Sequence, residues 1–227
     1  MEKNFQQNQT RYQRVPIWAW LTGLLLTILL VITGLREKGW MWFHSEPEIA
    51  EVVRADGFSA PGLVRAARSQ IGVTHSYDPS YVVLRYPNGD VPLSTGVCAE
   101  VVVRAMRTQG VDLQRVLHED MSRAFAVYPK RWGLSRPDRN IDHRRVLNLE
   151  VYMQRKGKSL LLTRRAQDFQ AGDWVTWRVG DEQLPHIGIV SNRKNPQGVP
   201  LIIHNIGAGT QEQDVLFAFP MSGHYRW

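Results

Sequence analysis

The last third of the chain holds four short runs of strand formers, with too little chain between them for crossover helices. Trp174-Val175-Thr176-Trp177-Arg178-Val179 alternates in polarity. Ile187-Gly188-Ile189-Val190, Leu201-Ile202-Ile203 and Val215-Leu216-Phe217-Ala218-Phe219 follow it. Asn195-Pro196-Gln197-Gly198 and Gly207-Ala208-Gly209 break the chain between runs. A parallel connection needs a dozen or more residues, so these runs predict an antiparallel meander. The preceding residues read as helices. One starts near Pro61 with Ser59 or Ala60 as its cap. A second opens at Cys98 and runs toward Gln109, with Gly110 at the position after its end. Asp112 to Met121 and Leu147 to Arg155 give two more. Helices first and a small antiparallel sheet second is an α+β plan. No internal repeat or low-complexity tract interrupts it.

Residues 17–35 contain no charge in 19 positions, with Trp18 and Trp20 near one end. That length crosses a hydrocarbon core as a helix, and interfacial tryptophans suit its edge. A cleaved signal peptide is the competing reading, for which Thr33-Gly34-Leu35-Arg36-Glu37-Lys38 is a poor cleavage site. We expect an uncleaved transmembrane anchor over 17–35, after a short tail (1–16). Residues 36–59 are then a juxtamembrane connector and 60–227 one domain. Lys3, Arg11 and Arg14 against Arg36 and Lys38 lean toward a cytoplasmic N-terminus. The expected placement is single-pass in a bacterial inner membrane, with the domain in the periplasm or otherwise outside the cytoplasm. The domain side is long enough for one well-formed core. Beyond residue 35 there are 25 Lys and Arg against 20 Asp and Glu, which suits an acidic partner such as cell wall or membrane surface. No basic stripe interleaved with aromatics is present, so nucleic acid is not the expected partner.

Cys98 is the one cysteine of the chain. In an oxidising compartment it has no partner for an intramolecular disulfide, which leaves an inert buried thiol, an intermolecular pair or a reactive group. A thiol in the first turn of a helix faces the positive end of the macrodipole, which is expected to lower its pKa. A nucleophile needs a base, and the base an orienting group. His186 opens one strand and His204 closes another, so neighbouring strands can bring the two together at the end of the Cys98 helix. Each histidine taken alone reads equally as a hydrogen-bonded structural residue.

Ala171-Gly172-Asp173-Trp174-Val175-Thr176-Trp177, His186-Ile187-Gly188-Ile189-Val190 and Ile202-Ile203-His204-Asn205 resemble the catalytic half of NlpC-type cysteine peptidases. Those are papain-like cell-wall enzymes that cleave amide bonds in peptidoglycan stem peptides. A closer resemblance covers residues 60–227 and is carried by several segments. They are Tyr77-Asp78-Pro79-Ser80-Tyr81, the Tyr86–Pro92 stretch, Gly96-Val97-Cys98, Asn140-Ile141-Asp142-His143-Arg144-Arg145-Val146 and Gly223-His224-Tyr225-Arg226. These residues resemble the bacterial domain of unknown function family 1287, grouped with the NlpC-like fold. The resemblance implies Cys98 as nucleophile, His186 as general base and His204 as third polar group, with Asn205 as a fallback orienter. It implies no cofactor. The Cys98 N–H would meet the oxyanion, helped by Tyr77, Tyr81 or Tyr86, whose alternative role is ordinary packing.

NlpC-type enzymes usually carry Asp before the cysteine and Ser-Gly after it, positions that help recognise the free amine of the stem peptide. Here Val97, Ala99 and Glu100 stand there. Glu100 either replaces the acid or only begins a helix, where an acid is favoured. Arg139, Asp142, His143, Arg144 and Arg145 either read a carboxylate-rich substrate or form a structural ion-pair network. His186, His204, Asp142, His143 and His224 lack a metal-ligand spacing, so no metal is expected. The function expected is thiol-dependent hydrolysis of peptidoglycan stem peptides. Acyl transfer or thioester hydrolysis on a lipid or protein, and a non-catalytic cell-envelope binding module, are the alternatives.

Overall fold

The computed structural model describes residues 57–227. The expectations for the tail, the anchor over 17–35 and most of the connector lie outside these residues. Among the described residues no helix is long and apolar enough to cross a membrane.

Helix α1 (Ala60–Arg68) begins where Ser59 accepts a hydrogen bond from the Gly62 N–H, with proline in its first turn. Leu63, Val64 and Ala67 turn inward. Helix α2 (Cys98–Thr108) follows Val97, and the Glu100 carboxylate accepts the Val97 N–H in place of an N-cap side chain. Every residue from Cys98 to Met106 is buried, so α2 is surrounded rather than laid on the surface. It ends at Gln109, and Gly110 takes φ +77°, as a residue after a helix end often does. Asp112 caps α3 (Leu113–Ala124) by accepting the Gln114 N–H at 3.1 Å. Helix α4 spans Val146–Arg155.

Two strands of two residues precede the main sheet. β1 (Ser76–Tyr77) pairs in parallel with β2 (Thr95–Gly96), so the Tyr77 loop lies against the start of α2. The main sheet holds β3 (Trp174–Val179), β4 (Leu184–Lys194), β5 (Pro200–Asn205), β6 (Thr210–Gln213) and β7 (Met221–Tyr225). Its order is β6-β5-β4-β3-β7, antiparallel throughout. β3 to β6 follow one another as a meander, and β7 returns to the far side of β3.

Alternation divides the apolar side chains between two faces. Trp174, Ile187, Ile189 and Ile203 join Leu63, Val102 and Met106 in the larger core beneath the helices. Val175, Trp177, Val190 and Ile202 turn the other way onto Phe169 and Leu216. The run Val215–Phe219, expected as a strand, is a turn. Leu216 is fully buried, and its carbonyl accepts the Trp177 indole N–H at 3.0 Å. The apolar residues there cover the second sheet face instead of pairing. Pairing falls to β6, whose Thr-Gln-Glu-Gln sequence carries no apolar signal, and to β7.

Candidate active site

Cys98 is the first residue of α2 and is 2 % exposed. The backbone N–H groups of Ile187 and Ala99 and the phenol of Tyr77 face its sulfur closely enough to favour the thiolate. Burial pushes the thiol from an ordinary 9.0 up to about 11, and the Glu100 charge adds to that rise. The Ile187 N–H and the Tyr77 phenol pull the other way. A helix terminus is worth about 0.3–1 kcal/mol to a nearby charge. One pK unit is about 1.4 kcal/mol, so the macrodipole cannot offset burial here. The lowered pKa expected from the helix start is therefore reversed, and the enclosed site holds a neutral thiol. Burial, then the neighbouring sulfur, also raises the Tyr77 phenol.

His186 lies on β4 and His204 on β5. His186 Nε2 is 2.8 Å from His204 Nδ1, and His204 Nε2 is 2.9 Å from Gln213 Oε1. The amide oxygen can only accept, so His204 carries its proton on Nε2 and presents Nδ1 as an acceptor. His186 then donates from Nε2, which leaves its Nδ1 with a free lone pair. Gln213 thus sets the tautomer of both rings. Burial holds both histidines neutral. It drives His186 down to about 3, with the His204 charge acting in the same direction, and lowers His204 as well. The His186 ring hydrogen-bonds to His204 and lies 5.8 Å from the Trp177 ring. Alternation sends Ile187 toward α2 and His186 to the face that carries Trp177. The structure thus joins the two histidines to each other, and the Cys98 sulfur faces the Ile187 N–H with neither ring among its hydrogen-bond partners.

A cavity of about 390 Å³ opens beside Cys98, and Tyr77, Tyr81, Trp132, Arg144 and Arg145 help to line it. Glu100 does not line it. Its carboxylate is 4 % exposed and bonds to Arg144 Nε at 2.6 Å. Arg144 also donates to the carbonyls of Ser80 (2.9 Å) and Asp78 (3.1 Å), tying the Tyr77 loop to α2. Burial raises the Glu100 carboxyl despite that partner.

The remaining residues of the sequence constellation are dispersed. The Asn205 amide donates to the Gly96 carbonyl at 3.0 Å and its oxygen accepts the Gly207 N–H at 3.1 Å. It therefore holds β2 in place rather than orienting His186. The Tyr81 hydroxyl donates to Asp138 (3.1 Å) and accepts from Asn140 (2.8 Å). Tyr86 packs edge-on against His118, with Arg139 over its ring. Asp142 is buried and accepts from the Asp138 N–H and from Arg145. His143 is also buried, and burial holds it down at about 3. Neither Asp142 nor His143 lines the cavity. His224 is 2.7 Å from Asp173 and stacks on Phe169. Among the described residues no cluster of three or more His, Cys, Asp or Glu side chains is arranged to hold a metal ion. Sequence reasoning passed over Gln213 and Trp132. A glutamine on a polar edge strand and a tryptophan in a charged loop carry no signal of their own.

These elements define an α+β domain in which a buried thiol at a helix start abuts a sheet carrying two coupled histidines. The chain belongs to the family described as Domain of unknown function (DUF1287), whose model matches residues 64–227. It is 53% identical over 176 residues to "Uncharacterized protein YijF" of Escherichia coli (strain K12), across 78% of this chain and 85% of that protein. Among solved structures it is similar to NlpC1 from Trichomonas vaginalis, with 16% identity and a TM-score of 0.39. That likeness covers 73% of this chain and 44% of the NlpC1 chain, so the chain spans less than half of its neighbour's length.

Proposed function

We propose that the domain hydrolyses amide bonds in peptidoglycan stem peptides through a thioester on Cys98. The observation that supports this most is a buried thiol at the start of α2 that faces the Ile187 N–H, one residue from a histidine fixed in a single tautomer by His204 and Gln213. In the first step Cys98 Sγ attacks the scissile carbonyl carbon, and the thiol proton passes to His186 Nδ1. The Cys98 N–H, at a helix start where N–H groups lack intrahelical partners, faces the oxyanion, and the Tyr77 phenol is the second donor. Collapse breaks the C–N bond, and His186 returns the proton to the departing amine. Water then attacks the thioester with His186 again as base, releasing the acid and restoring the thiol. The resting thiol and imidazole are both neutral, so the proton moves as Sγ bonds to the carbonyl carbon rather than before it. The substrate class places the domain in the cell envelope, held to the inner membrane through residues 17–35.

The test is digestion of purified peptidoglycan by the full chain and by Cys98→Ala, followed by mass spectrometry of released peptides. Fragments that appear only with Cys98 support the reading. Identical digests from the two proteins, or acylated products without hydrolysis, contradict it.

A further inference from the structure

Two arginines and no acid line the cavity beside Cys98. Adjacent in sequence, they differ in what their guanidinium groups can still do. Arg144 is spent: Nε, Nη1 and Nη2 all donate within the protein, and its side chain is 2 % exposed. Arg145 uses only Nη1, which lies 3.1 Å from Asp142 Oδ1. Among the described residues Nε and Nη2 have no hydrogen-bond partner. The guanidinium carbon sits 4.0 Å from the centre of the Trp132 ring, so stacking and the ion pair together fix its plane. Its counter-ion does not reach the cavity. Asp142 is 2 % exposed and its carboxylate is held by the Asp138 N–H as well as by Arg145. The wall thus presents a preorganised planar fork with a free edge and no competing carboxylate. That geometry matches a carboxylate better than any neutral group.

We propose that Arg145, stacked on Trp132, is the residue that reads a free carboxylate on the substrate, next to the bond presented to Cys98. The proposal rests on the hydrolase reading for the identity of the reacting bond, and it narrows the substrate to acyl or leaving residues that carry an anionic side group. An uncharged lipid acyl chain does not satisfy it.

The test compares alkylation of Cys98 in the folded full chain by iodoacetate and by iodoacetamide, with glutathione as the free-thiol reference. In the wild type, the iodoacetate-to-iodoacetamide rate ratio should exceed the glutathione ratio tenfold or more. Arg145→Gln should bring it to within twofold of glutathione. Arg145→Lys, which keeps a charge opposite Asp142 and so guards against loss of the fold, should give an intermediate ratio. A folded Arg145→Gln with the wild-type ratio overturns the proposal. A second measurement does not depend on thiol reactivity: calorimetric binding of N-acetyl-γ-glutamylalanine and its α-amide to Cys98→Ala. The carboxylate form should bind at least tenfold tighter, and Arg145→Gln should abolish the difference. Equal binding of both forms, or no binding of either, overturns the proposal. A thiol inert to both alkylating reagents, with the carboxylate preference intact, would sink the hydrolase reading and leave the subsite standing.

Discussion

Replacing Arg144 with methionine leaves Glu100 buried beside Cys98 with its cation gone. The two side chains are 2 % and 4 % exposed, and the pair closes at 2.6 Å. Breaking a buried pair by removing one partner costs about 3–5 kcal/mol, because the remaining charge has no solvent to turn to. The Ser80 and Asp78 carbonyls lose their donor at the same time. In a domain of this size each kcal/mol moves the melting temperature by about 2–4 °C, so Arg144→Met should lower it by roughly 6–20 °C. The pH dependence follows from the sign of the Glu100 shift. Its folded pKa is already raised by burial with Arg144 present. Without Arg144 it rises further, and a group with a raised folded pKa loses stability as pH climbs through that value. The deficit should therefore shrink between pH 7 and pH 5 as the folded variant takes up a proton. Glu100→Gln in the Arg144→Met background should recover most of the loss, since no charge is then stranded. Urea and thermal unfolding followed by tryptophan fluorescence measures each quantity. A deficit under 1 kcal/mol at pH 7, or one that grows on acidification, refutes the argument.

Three further outcomes follow from the same geometry. His143 and His186 are each held near 3, below their ordinary 6.5, so stability should fall as pH drops below about 6.5, by up to about 1.4 kcal/mol per pH unit for each. His143→Leu should flatten that slope between pH 6.5 and 5 in urea titrations, and an unchanged slope would contradict the assignment. Gln213→Leu releases the tautomer lock on His204 and His186. It should cut peptide release at least about tenfold while shifting the melting temperature little, as expected of a residue that acts on catalysis through another. A methyl group on Gly188 would lie 2.5 Å from Ile202 Cγ2 and 3.1 Å from His204 Cβ. Gly188→Ala should therefore destabilise by about 1–3 kcal/mol in denaturant melts and disturb the His186–His204 contact.

The helix ends were legible because their signals are local. Ser59 and Pro61, Asp112 and Gly110 act through backbone hydrogen bonds and dihedrals within a turn of their own positions. β3, β4 and β5 were legible from alternating or continuous apolar runs. Val215–Phe219 was misread because a buried turn and a strand demand the same apolar residues, and only the pairing partner distinguishes them. β6 was invisible because an edge strand needs no apolar face. Cys98, His186 and His204 stood out through their positions at a helix start and at strand ends. The protonation state of the thiol did not, since it depends on burial beneath Tyr77, which β1 and β2 deliver from distant sequence. Nor could sequence separate Arg144 from Arg145. Both line the cavity, and only the fold shows that one has every guanidinium nitrogen bonded within the protein while the other bonds through Nη1 alone.

In the proposed reaction Cys98 carries an acyl group during turnover. Intact-protein mass spectrometry of the full chain, quenched in acid during incubation with stem peptides, tests it most directly. A mass gain equal to the peptide's acyl portion is expected. That gain should map to the Cys98-containing fragment, be released by hydroxylamine and be absent from Cys98→Ala. Peptide cleavage with Cys98 unmodified at every time point, and equal cleavage by Cys98→Ala, would contradict it.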